Sequence, residues 1–204
     1  LRFHLESYIY FGSVTGFQPE RRTRIPSISA QDVAIGDFNH DQMLDLAFAN
    51  YNSEVQNCFI YWGNGTGKFT EERRRILKSS DLLLNGEIKK GKRLPDGITT
   101  LLAVDLNDDG IHDLVTAGTE KSIIFFGSSQ GLLTQNPIQL PADSCQGLAA
   151  SDLNGDGRID LVFANRGSSS KPSNKSDIFW GSVHGFSKED RTRLPTLAAT
   201  TVQT

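Results

Sequence analysis

Short apolar runs recur along this chain, each bounded by Gly or by clusters of Asp and Asn. They pair up: LDLAFAN (44–50) with CFIYWG (58–63), HDLVTAG (112–118) with SIIFFG (122–127), and DLVFANR (160–166) with DIFWG (177–181). Runs this short and continuous suit strands covered on both faces, since a strand with one face in water would alternate. Ahead of the pairs stand DVAIGDF (32–38), TTLLAVDL (99–106) and GLAASDL (147–153), read as first strands. A different pattern, rich in Arg, Glu and Pro, occupies PERRTRIP (19–26), EERRRIL (71–77) and KEDRTRLP (188–195). Proline and dense charge belong on an edge strand, where exposed backbone must be kept from pairing with another chain. A basic stripe for an anionic glycan is the competing reading of these arginines.

The order is therefore strand a, strand b, strand c, strand d, repeated. An aromatic–Gly turn marks each unit: YFGSVTGF (10–17), YWGNGTGKF (61–69), FFGSSQGL (125–132) and FWGSVHGF (179–186). Strand d is expected to begin after this turn, near Phe69, Leu132 and Phe186. The spacing leaves room for about four short strands per unit, as in a propeller blade. The expected fold is all-β, a β-propeller of four-stranded antiparallel blades, with three complete blades at 31–77, 97–140 and 145–194. Residues 1–26 supply strands c and d of a partial blade, and 197–204 the first strand of a further one. Residues 1–204 then read as one segment of a larger propeller. An inserted, polar loop fills 78–96; insertions on a rigid scaffold often carry binding, and a neutral surface insertion is the equal alternative.

Between strands a and b lies a second motif: DFNHDQMLD (37–45), DLNDDGIHD (105–113) and DLNGDGRID (152–160). Oxygen-bearing side chains recur at positions 1, 3, 5 and 9. Carboxylate, amide and carbonyl oxygens converging on one centre are what a hard cation such as Ca²⁺ prefers. The expected ligands are Asp37, Asn39, Asp41 and Asp45 with the carbonyl of Met43; Asp105, Asn107, Asp109 and Asp113 with that of Ile111; and Asp152, Asn154, Asp156 and Asp160 with that of Arg158. Up to three Ca²⁺ would be held. The loops are not EF-hands: position 12 is Phe48, Thr116 or Phe163, where an EF-hand needs Glu. The alternative is that Asp and Asn cap turns through local backbone hydrogen bonds. Loop one is expected to be weakest, because Gln42 stands where the others have Gly110 and Gly157.

The two motifs in this order resemble the FG-GAP repeats of integrin alpha subunits and the related VCBS repeats. The resemblance implies a calcium-bearing β-propeller in an extracellular or cell-surface setting. It implies adhesion, protein recognition or surface and filament assembly more than catalysis, with a protein or glycan as partner. Further blades or neighbouring subunits are also implied as partners. A lectin, or a domain of a polysaccharide-degrading enzyme, is the alternative.

Composition narrows the remainder. Net charge is −3, giving no case for nucleic acid, and no apolar run is long enough to span a membrane. Ten of the 24 acidic residues fall in the three Asp-rich loops, so unneutralised loops should be strained by repulsion. Cys58 and Cys145 are too few for a disulfide framework; a bridge and two buried thiols both remain open. His4, His40, His112 and His184 are scattered, and no nucleophile is paired with them, so no catalytic residue is assigned. Trp62 and Trp180 fill the aromatic slot before the repeat Gly and are read as packing residues. Asn64 and Asn174 match the N-glycosylation acceptor pattern.

Overall fold

The computed structural model describes residues 5–50, 58–77, 98–168, 170, 172–173 and 175–203. The insertion at 78–96, Asn174 and His4 lie outside the described residues.

The described residues build three four-stranded antiparallel sheets and one two-stranded layer, with a single 3₁₀ turn among them at Glu71–Arg73. Strands β1 (Leu5–Tyr10) and β2 (Arg22–Ser27) form the layer. Sheet one orders β3 (Ala30–Gly36), β4 (Asp45–Asn50), β5 (Cys58–Tyr61) and β6 (Arg74–Leu77). Sheet two orders β7 (Ile98–Val104), β8 (Asp113–Gly118), β9 (Lys121–Phe125) and β10 (Ile138–Pro141). Sheet three orders β11 (Cys145–Ser151), β12 (Asp160–Asn165), β13 (Lys175–Phe179) and β14 (Arg191–Pro195). Each is a meander, and each first strand carries a register shift one residue in, between Ala30 and Asp32, Ile98 and Thr100, and Cys145 and Gly147. Such a bulge sharpens the local twist, and its recurrence shows that the three sheets are copies of one unit.

Strands β4, β8 and β12 are buried along their whole length. The reason is stacking. One face of sheet one presents Ala34, Ala47, Ala49, Cys58 and Ile60, which pack on Leu101, Leu114, Ile123 and Phe125 of sheet two. Sheet two in turn sets Val115, Ala117 and Ile124 against Leu161, Phe163 and Phe179 of sheet three. The β1–β2 layer packs Ile25 and Ile9 on Phe48, Phe59 and Tyr61. Large side chains of one sheet thus fill the space left by small ones of the sheet before it, the volume matching that a close-packed interior requires.

The Arg-rich strands β2, β6 and β14 lie at the ends of their ladders. Their guanidinium groups serve the sheets themselves. Arg74 lies 4.6 Å from the Phe59 ring centre, and Arg75 donates to the Leu132 carbonyl at 2.9 Å. Arg191 and Arg193 flank the buried Asp177 at 3.5 and 3.6 Å. Arg74, Arg75 and Arg191 are thus engaged within the sheets, while Arg24 and Arg193 keep half or more of their side chains exposed.

Two expectations need correction. Strand d does not begin near Phe69, Leu132 or Phe186. Its ladders start at Arg74, Ile138 and Arg191. Leu132 and Phe186 are buried plugs and Phe69 a half-buried one, each turned into the junction with the preceding layer. Residues 197–203 form no strand. They pass so close to β11 that a Cβ on Gly147 would lie 2.9 Å from Thr201 Cα, but they join no ladder.

Cys58 and Cys145 are free, buried thiols, and burial pushes Cys58 well above the usual thiol range and Cys145 up to about 12. No helix among the described residues is long and apolar enough to cross a membrane.

Candidate functional site

All three Asp-rich loops sit between the first two strands of their sheets and share one hydrogen-bond pattern. In loop one the Asp37 carboxylate accepts from the N–H of Gln42 at 2.8 Å and of Asp41 at 3.2 Å. The Asp41 carboxylate accepts from Met43 N–H at 2.9 Å and from the Asn39 amide at 3.1 Å. Loop two repeats this with Asp105 accepting from Gly110 and Asp109, and Asp109 from Ile111 and Asn107. In loop three, Asp152 accepts from Gly157 and Asp156, and Asp156 from Arg158 and Asn154. Loop three adds a bond from Gly155 N–H to Asp152 at 2.7 Å. The Gly157 N–H is the largest of several donors holding the Asp152 carboxyl below its usual range.

Backbone conformation grades the loops. Position 6 has positive φ throughout: Gln42 at 66°, Gly110 at 81° and Gly157 at 84°. Position 4 does as well: His40 and Asp108 at 59° and Gly155 at 76°. The left-handed region costs a residue with a Cβ roughly 1–2 kcal/mol. Loop one therefore carries two strained residues, loop two one, and loop three none. The Gln42 expectation covers half of this; position 4 was not anticipated, because only loop three has a glycine there.

The position-9 aspartates behave unlike the others. Asp45, Asp113 and Asp160 are fully buried. One carboxylate oxygen accepts from the N–H just after position 1, of Phe38 at 3.0 Å, Leu106 at 2.8 Å or Leu153 at 2.9 Å. The other accepts from the glycine of the aromatic–Gly turn, Gly63 at 2.8 Å, Gly127 at 2.8 Å or Gly181 at 2.9 Å. The two motifs of each unit are thus bolted together by one carboxylate. This also explains why that turn needs glycine. A Cβ at Gly63, Gly127 or Gly181 would stand 2.3, 2.4 or 2.2 Å from the carbonyl oxygen of loop position 8. Burial pushes the Asp45 and Asp113 carboxyls up to about 6, against the pull of both N–H donors. Recurrence of the motifs in fixed order was the signal that could have revealed this partnership.

The donor set is all oxygen, and a carboxylate oxygen holding one N–H keeps a lone pair free. In donor type the loops fit a hard cation. In arrangement they are closed on their own backbone: among the described residues, no group of three or more His, Cys, Asp or Glu side chains that could hold a metal is found.

Other candidates separate cleanly. Trp62 packs into the core between sheets one and two, while the Trp180 indole donates to Thr192 Oγ1 at 3.0 Å. Asn64 is exposed in a turn, its side chain accepting from Thr66 N–H at 3.0 Å. His112 Nδ1 faces the Asp37 N–H at 3.4 Å, and His184 is exposed. Between the loops of sheets two and three a cleft of about 770 Å³ opens, lined by residues 105–108, 156–159 and 181–186 with Phe126 and Ile138. No curated protein matches the chain. Residues 105–163, from the first Asp of loop two to Phe163 in β12, match the family model described as FG-GAP-like repeat, the family the two motifs resemble.

Proposed function

We propose that the three sheets are consecutive blades of a β-propeller, that each Asp-rich loop takes up one Ca²⁺, and that the chain is a non-enzymatic extracellular or surface module for adhesion, recognition or assembly. The single observation that supports this most is the threefold repetition of one loop, with the same side chain accepting from the same N–H donors in every copy. The FG-GAP-like match across loops two and three supports it further.

The assigned ligands are those of positions 1, 3, 5 and 9 with the position-7 carbonyl. Ca²⁺ would neutralise carboxylates that otherwise repel one another. This chain's own residues supply the rest: the N–H bonds to position 1 hold the turn in shape, and the position-9 aspartate ties it to the end of strand c. Metal binding in such a loop is coupled to its ordering. Calorimetric titration of the chelator-treated chain tests the reading. Three sites are expected, one of them lost in each of Asp41→Ala, Asp109→Ala and Asp156→Ala. No heat and no shift in melting temperature at millimolar Ca²⁺ would sink it.

One observation favours a second reading, glycan recognition. The cleft between sheets two and three is of ligand size and has an apolar floor of Phe126, Ile138 and Phe186 under a polar rim. Binding on a glycan array that is lost with Phe126→Ala would favour it over a purely proteinaceous partner.

A further inference from the structure

We infer that the end of the sheets opposite the Asp-rich loops carries a binding site for a small polyhydroxylated carboxylate, a sugar acid, held by the guanidinium of Arg166 and by the side chains of the strand-a bulges.

One irregularity, used three times, builds this site. The bulge in each first strand leaves one extra residue: Gln31 in β3, Thr99 in β7 and Gln146 in β11. A bulge re-aims its extra side chain out of the alternation of the strand. All three of these side chains are polar, and all three line one pocket of about 390 Å³ to which every four-stranded sheet contributes. Thr119 and Arg166, which follow the ends of β8 and β12, and Ser144 from the turn into β11 complete the wall. The start of strand a and the end of strand b lie away from the Asp-rich loop that joins their other ends. The pocket shares no residue with the cleft between sheets two and three, so it depends on neither the calcium nor the glycan reading.

The groups are positioned by the fold itself. Gln31 and Gln146 each donate from the side-chain amide to the carbonyl two residues back, of Ser29 at 3.3 Å and of Ser144 at 3.5 Å. Both serines have left-handed φ, 48° and 49°, a conformation that persists only where the surroundings impose it. At Ser144 the surroundings are plain: its N–H donates to the Thr119 carbonyl at 2.7 Å, and its carbonyl accepts from Arg166 N–H at 3.2 Å. The Thr99 hydroxyl donates across the junction to the Cys145 carbonyl. The Arg166 carbonyl accepts from Ser173 N–H at 2.9 Å, which fixes its backbone from the other side. Its side chain is exposed and makes no ion pair among the described residues.

The lining defines the ligand. It consists of amide and hydroxyl side chains, one guanidinium and a glycine, with no acidic, aliphatic or aromatic residue. A guanidinium fork pairs with a carboxylate through two parallel bonds. With their N–H groups on backbone carbonyls, the amides of Gln31 and Gln146 keep acceptor oxygens for ligand hydroxyls. An apolar acid would find no apolar surface here, and a dianionic phosphate calls for more positive charge than one arginine. The volume suits one or two sugar rings rather than a chain.

The test titrates the full, nitrogen-labelled chain with sodium glucuronate and follows the backbone amides of Gln31, Thr99 and Gln146 and the side-chain Nε of Arg166 by NMR. Shifts centred on this set are expected. Glucuronate should bind at least about tenfold tighter than glucose, which lacks the charge, and than propionate, which lacks the hydroxyls. Arg166→Gln should erase the advantage over glucose. Gln31→Ala, at an exposed position, should weaken glucuronate about threefold, and both variants should keep the parent circular dichroism. The inference is overturned by an absence of shifts at millimolar glucuronate, by equal affinity for glucose, or by tighter binding of a sugar phosphate. Glucuronate affinity unchanged in Arg166→Gln would overturn it too, as would shifts centred on Phe126 and His184, which assign the ligand to the other cleft.

Discussion

The junction between sheets one and two and the junction between sheets two and three use one design and end differently. At the first, the loops are zipped together. His112 N–H donates to the Asp37 carbonyl at 3.1 Å, and Ser128 N–H reaches the Phe38 carbonyl at 3.4 Å. Trp62 lies flush on Gly131, whose missing Cβ would stand 2.8 Å from the indole. At the second, Ile159 and Ser182 hold the corresponding places and make no such backbone bonds to Asp105 or Leu106. Phe126 replaces the tryptophan, the facing Gly185 has only Ile138 within reach at 3.4 Å, and the space opens into the cleft. The lesson is that the buried centres of the sheets set the stack, while one aromatic per unit decides whether its rim is sealed or open.

The largest expected effect separates the two glycines. Both have positive φ, +89° at Gly131 and +81° at Gly185, so an added Cβ costs each of them roughly 1 kcal/mol. Gly131→Ala must also displace the Trp62 ring, and a total loss of about 3 kcal/mol in urea unfolding is expected. Gly185→Ala should lose about 1 kcal/mol. Equal losses would mean the second junction is as tight as the first in solution.

Exchanging the aromatics probes the same contrast at about half that size. Trp62→Phe is expected to cost about 1–2 kcal/mol and to speed hydrogen exchange at the His112 and Ser128 amides. Phe126→Trp should cost nothing, because the cleft has room for it. A loss above about 1 kcal/mol for Phe126→Trp would show that the cleft is filled or closed.

Backbone strain sharpens the comparison at the loops. Gln42→Gly removes a Cβ from a residue at φ 66° and is expected to tighten calcium at loop one about fivefold, or roughly 1 kcal/mol. Loop three, with glycine at both strained places, should fill first in a titration of the parent chain. Spectroscopic titration with a luminescent lanthanide, loop by loop in variants keeping a single site, measures both.

A pH-dependent effect concerns the buried anchors. With its folded-state carboxyl raised to about 6, Asp113 holds its proton longer in the folded chain than in the unfolded one. Its contribution is therefore favourable at low pH and is lost as pH rises from the ordinary carboxylate range through about 6. Without calcium, thermal melts of the parent chain should fall more steeply across that window than melts of Asp113→Asn, which keeps an acceptor oxygen but cannot ionise. Parallel curves would mean the carboxyl titrates normally.

Much of the architecture was legible from sequence because each unit states it locally. The continuous apolar runs within 44–50, 112–118 and 160–166 suited strands covered on both faces, and Asp45–Asn50, Asp113–Gly118 and Asp160–Asn165 are buried along their whole length. The Asp-rich turns fell between strands a and b because Asp, Asn and Gly are the residues that bend backbone there. The ends of strand d were not legible. Phe69, Leu132 and Phe186 look like the start of a strand, and only the preceding layer makes them plugs. The exposed pair Val33 and Ile35 reads in sequence like Leu101 and Ala103, since exposure depends on what lies across from each.

The order of strands a, b and c and the positions of the Asp-rich and aromatic–Gly turns between them were thus determined by the sequence itself, through short-range rules of pattern, charge and backbone freedom. Tertiary structure alone decided the roles that need two distant segments. It made position-9 aspartates anchors for a glycine 14 to 21 residues away. It sealed one junction and opened the next. These follow from which groups are desolvated and how closely two surfaces approach, and no single segment carries that information.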